Sequence, residues 1–194
     1  PTHLGFYPLA VALGLSLQLP LNALYSLLLE RFPTSSPSQL EKIFFAAPLP
    51  EQMVIGMGLI AIGPLVEEVF FRGALFLPLR LKLGHRPIVT VLVTSALFAI
   101  VHMEWQQFLW ISLMGIVLGM LRRDSGSLVP AALAHAAFNG LATVLLVFRV
   151  DDLPGGYWAA VASAGVAVAL LVGQRFLSRS EAAEAARREE DLWL

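Results

Sequence analysis

Between Met53 and Leu79 nearly every residue is apolar, yet Glu67, Glu68 and Arg72 sit near the middle of the stretch. In a helix that crosses a bilayer each such residue costs roughly 2.5–3.5 kcal/mol at the centre, so three together approach about 10 kcal/mol unless they find partners. A chain that carries this stretch must therefore bring other helices around these side chains.

Helical geometry divides the three. At about 100° per residue, Glu68 and Arg72 stand about 40° apart on one face and can pair side chain to side chain. Glu67 points about 140° away from Arg72, so the guanidinium that neutralises Glu68 is poorly placed to neutralise it. Glu68 and Arg72 read as a supporting pair, and Glu67 as an available carboxylate. The structural alternative is a buried ion-pair network that only holds helices together. Ionisable groups inside a membrane span are functional-site candidates by default.

The chain has 194 residues, 57% hydrophobic and 14% charged, against about 25% charged in a soluble domain. The expected fold is all-α, a polytopic membrane helix bundle. A formal net charge of -1 with no basic face argues against a nucleic-acid partner. Cysteine is absent, which excludes disulfides, thiol catalysis and thiolate metal ligands. The first apolar run, from residue 4 to Leu29, is too long for a signal-peptide core and has no basic stretch before it, so it reads as a retained span. A start at Pro1 rather than Met is what a fragment would show.

About six spans are expected, since a hydrocarbon core of about 30 Å takes about 20 helical residues. They run over Leu4 to Leu29, Glu51 to Leu81, Ile88 to Met103, Phe108 to Leu121, Leu128 to Phe148 and Tyr157 to Phe176. A Pro/Ser-rich connector (Pro33 to Ser38) and a short amphipathic piece at Ile43-Phe44-Phe45 separate the first two. Gly63-Pro64 predicts a kink just before the glutamates, and Pro87 suits the first turn of its helix. Gly115 and Gly119 form a small-xxx-small pair that permits close helix approach. The division expected is a transmembrane domain over 1–178 and a charged cytoplasmic tail over 179–194. With the connectors near Arg80 to Arg86 and at Arg122-Arg123 placed inside together with Arg175 and the tail, nine of the thirteen Lys and Arg lie there, three lie opposite and Arg72 is within a span. Both termini then face the cytoplasm. His102 falls near the outer edge in this register, and Glu67 nearer the middle.

Two further spans carry polar groups of catalytic type. Phe98 and His102 are four apart, so the ring can wall the imidazole, and His135 and Asn139 are four apart and project together. Taken separately, His102 reads as an interfacial residue, and His135 with Asn139 as a polar clamp between helices. Taken together with Glu67, they are better explained by one site. A carboxylate and an imidazole can act as general base toward water, while a second imidazole and a carboxamide N–H can donate to a tetrahedral oxyanion. That is amide hydrolysis by activated water.

The segments Glu67-Glu68-x-x-x-Arg72, Phe98-x-x-x-His102 and His135-x-x-x-Asn139, in that order on separate apolar helices, resemble the three motifs of the CAAX-protease and bacteriocin-processing (Abi) family of intramembrane glutamic proteases. The resemblance spans about Met53 to Phe148. It implies that Glu67 activates water with help from His102, that His135 and Asn139 form the oxyanion hole, and that Glu68, Arg72 and Phe98 support them. It implies no cofactor. It also implies a membrane-associated peptide or lipoprotein as substrate, prenylated in the family's eukaryotic members, and residence in the cell membrane.

Two other readings use the same residues. A zinc metalloprotease would take Glu67, His102 and His135 as ligands, although no His-Glu-x-x-His pair exists and Asn139 would go unexplained. A non-catalytic transport, immunity or scaffold protein would use the carboxylate and imidazoles as a relay or a peptide pocket. His3 and His85 are expected to have no role, and Glu104-Trp105 reads as an interfacial anchor.

Overall fold

A computed structural model describes residues 2–33, 39–84, 86–103, 107–150 and 156–191, with 39–41 and 181–191 as backbone only. The connector after Pro33, His85 and the Glu104-Trp105 anchor lie outside the described residues.

The described residues form seven helices and no strand. They are α1 (Phe6–Arg31), α2 (Gln39–Ala46), α3 (Leu49–Lys82), α4 (Pro87–Ile100), α5 (Phe108–Ser125), α6 (Val129–Val147) and α7 (Gly156–Asp191). The amphipathic piece around Ile43 is α2, and the other six correspond to the six apolar runs. Four of them, α1, α3, α6 and residues Gly156–Ser180 of α7, are long and apolar enough to cross a membrane. Pro87 starts α4 as expected, and Gly126 in the left-handed conformation (φ 65°) ends α5. α5 therefore runs past Leu121 and keeps Arg122, Arg123 and Asp124 inside its last turn. α7 continues without a break through Ser178. His3 does have a part: its Nδ1 accepts the Gly5 N–H at 3.0 Å where α1 begins.

Apolar helices in lipid gain little from hydrophobicity against one another, so close packing holds them. α1 lies against α6 and α7, with Phe6, Ala10 and Leu13 of α1 and Ala131 and Ala134 of α6 fully buried. At Gly14 a Cβ would stand 2.1 Å from the Ala134 carbonyl oxygen, so the two backbones touch. α4 packs closely on α5: a Cβ added at Gly115 would stand 3.0 Å from the Ser95 side chain, and one at Gly119 3.0 Å from that of Val91.

α3 is the irregular element. A 34-residue rod, about 50 Å long at 1.5 Å per residue, it contains two π-helical segments, Gly58–Ile62 and Val69–Leu75. The kink expected at Gly63-Pro64 is thus a change of hydrogen-bond register: the Gly63 N–H reaches the Gly58 carbonyl, five residues back. The reason is local, because Pro64 has no N–H and its ring crowds the preceding turn. Glu67 and Glu68 lie on the short α-helical piece between the two π segments.

Candidate active site

The charged residues of α3 are held from three sides. Arg72 Nη1 donates to Glu68 Oε1 at 2.6 Å with both side chains fully buried, and Nη2 donates to the Gly115 carbonyl of α5 at 3.1 Å. The guanidinium lies over the Phe98 ring of α4, 4.5 Å from its centroid. His135 of α6 brings its Nδ1 to 3.1 Å from the same Glu68 oxygen. That oxygen already accepts from an arginine and belongs to a carboxylate, so Nδ1 must be the donor.

Glu67 stands apart. Its Oε2 is 3.7 Å from His135 Nε2, and its side chain is 35% exposed against 6% for His135. His102 is fixed differently: its Nδ1 donates to the Phe98 carbonyl at 2.7 Å. A neutral ring so bonded keeps the lone pair on Nε2.

Asn139 is positioned by the irregularity of α3. With Gly63 bonded to Gly58, the next donor in that register would be residue 64, which is proline, so the Leu59 carbonyl has no N–H to take. Asn139 Nδ2 donates to it at 3.0 Å. One N–H of the carboxamide is thereby held, and the other remains to donate.

Glu67, His102, His135 and Asn139, from α3, the end of α4 and α6, all line one cavity of about 370 Å³. Its other walls are mostly apolar, with Phe98, Trp110, Met114 and Phe138 prominent. Glu68 and Arg72 lie behind this wall and are fully buried. The three residues of the zinc reading share the cavity, but among the described residues no three His, Asp or Glu side chains are grouped so as to hold a metal ion.

Sequence reasoning missed Leu59, Gly115 as an acceptor, and Trp110 of the cavity wall. The spacing Gly58 to Pro64 is the signal that could have pointed to an unpaired carbonyl one turn before the proline. Nothing in an apolar run distinguishes Trp110 as a cavity wall from a lipid-facing tryptophan.

No curated protein and no solved structure matches the chain. Residues 49–141, just under half of the chain, match a family model described as type II CAAX prenyl endopeptidase Rce1-like. That stretch contains Glu67, Glu68, Arg72, Phe98, His102, His135 and Asn139. With four helices able to span a bilayer, the chain is a membrane protein. Over the segment 49–141 it is similar to the Rce1-like type II CAAX prenyl endopeptidases.

Proposed function

We propose that the chain is an intramembrane endopeptidase that hydrolyses a peptide bond of a membrane-associated protein or lipoprotein by activated water. The observation that carries this reading is that Glu67, His102, His135 and Asn139 line a single cavity of about 370 Å³, reached from three helices. Glu67, the partly exposed carboxylate, takes a proton from water, and the lone pair of His102 Nε2 shares that task. The hydroxide attacks the scissile carbonyl. The oxyanion takes hydrogen bonds from the second Asn139 N–H and from His135 Nε2–H. Since His135 Nδ1–H is given to Glu68, Nε2 can donate only from the doubly protonated ring. Glu67, Glu68 and Arg72 around it then leave the four groups neutral in sum. Collapse of the intermediate returns the proton to the leaving amine.

We place the protein in the cell membrane as a multi-pass chain with both termini cytoplasmic, on the asymmetry of Lys and Arg between its connectors. No cofactor enters this reading. The test is cleavage of a peptide panel by purified chain in proteoliposomes. Glu67→Gln, His102→Ala and Asn139→Ala should each lower the rate by about 100-fold or more while the protein unfolds at an unchanged temperature. A strong chelator should leave the wild-type rate unchanged. Loss of activity in chelator, restored by zinc, would favour the metalloprotease reading instead.

A further inference from the structure

Among the described residues, two arginines at one end of the bundle have no counter-charge. Arg80 lies in the last turn of α3, and Arg122 in the last turn of α5. Arg122 runs along one face of α3: its Nε donates to the Arg72 carbonyl at 3.0 Å, and its guanidinium lies 5.9 Å from the Phe76 ring. Residues 72, 76 and 80 recur at four-residue spacing on that face, which brings Arg80 close enough to repel Arg122. Among the described residues neither makes an ion pair, and Arg80 Nε is buried without a hydrogen-bond partner. Asp124, the carboxylate nearest in sequence, is taken by Arg123, Gln174 and Arg175.

Two like charges held together and partly desolvated are unfavourable unless an anion sits between them. Both stand where an apolar rod gives way to polar sequence, the depth at which a bilayer presents phosphate. Guanidinium forks match phosphate oxygens in pairs. We propose that Arg80 and Arg122 form a site for the phosphate of an anionic phospholipid. The bound headgroup clamps the end of α3 to α5, and through the Arg122 bond to the Arg72 carbonyl it steadies the π segment that carries Arg72.

The test is thermal unfolding of the purified full chain in neutral detergent, titrated separately with dioctanoyl phosphatidylglycerol, dioctanoyl phosphatidylcholine and inorganic phosphate. Phosphatidylglycerol at a hundredfold excess over Kd should raise the wild-type Tm by roughly 5–10 °C. Phosphatidylcholine should give less than half of that rise, and inorganic phosphate almost none. Arg80→Gln, which removes no described bond and should fold, ought to cut the rise to less than a third. Arg122→Gln should do the same, while Arg31→Gln, at the other end of the bundle, should leave it intact. An equal rise in Arg80→Gln would overturn the proposal. An equal rise with inorganic phosphate would overturn it in favour of a soluble anion. No rise in wild type would also overturn it and leave the pair to the chain's own acidic segment beyond Ser180.

Discussion

Phe98 is flanked by both imidazoles and by the guanidinium of Arg72. Its ring centroid is 4.8 Å from that of His102 and 5.8 Å from that of His135, each edge to face, and its face carries Arg72. Four-residue spacing was enough to foresee its contact with His102, because both belong to one helix. Its contacts with His135 and Arg72 depend on how three helices meet, and local spacing carries no information about that. The Glu68–Arg72 pair was legible for the same reason as Phe98–His102. The bond from His135 to Glu68, 67 positions away in sequence, was not. Because Arg72 also serves Gly115, its loss strands a fully buried carboxylate. Arg72→Ala should therefore destabilise the protein by about 3–5 kcal/mol, read as a fall in unfolding temperature and in membrane yield. Arg72→Lys should recover only part of this, since an ammonium cannot reach Glu68 and the Gly115 carbonyl as a fork.

At the scale of elements, an irregularity in α3 near Gly63-Pro64 could be placed from the sequence, but its π register could not. A rod that is apolar on nearly every side has no hydrophobic stripe to reveal a change from four-residue to five-residue spacing. The register matters because it frees the Leu59 carbonyl for Asn139. Pro64→Ala restores a backbone N–H there, so Asn139 should lose its anchor. Cleavage should fall by about 10–100-fold with no loss of thermal stability, a separation that a purely structural proline would not give. The helix α4 is short and ends at Ile100, three residues before the expected Met103. At 14 residues it is about 21 Å long, shorter than the hydrocarbon core, so a rod of this length need not carry His102 to the outer surface. Close backbone approach governs α1: Gly14→Ala puts a methyl against the Ala134 carbonyl, which cannot move aside as a side chain could. It should cost about 1–3 kcal/mol by chemical or thermal unfolding, with the Gly56→Ala control, where nothing lies within 4 Å, close to neutral.

For the whole molecule, the order of the six apolar helices was legible because each apolar run is bounded by charge, proline or glycine, although only four of the six expected spans are long and apolar enough to cross a membrane. Their packing was not, because alanine-rich α6 and glycine-marked α1 give no sign of which partner each seeks. α7 is fastened to α5 by a polar knot that an apolar span with a charged end did not suggest. Asp124 accepts from Arg123 at 2.6 and 2.8 Å, from Gln174 at 3.0 Å and from Arg175 at 3.3 Å. Asp124→Ala leaves the Arg123 charge buried and unpaired, and should loosen α7, seen as faster proteolysis of its C-terminal part and a lower unfolding temperature. The bundle so assembled brings one partly exposed carboxylate, two imidazoles and a carboxamide to a common cavity. The most direct measurement of what they do is single-turnover cleavage in ¹⁸O-labelled water, with mass analysis of both product and protease. Water activated by Glu67 predicts label in the new carboxylate of the product and none in Glu67. Label appearing in Glu67, or intact substrate after prolonged incubation with folded protein, would contradict it.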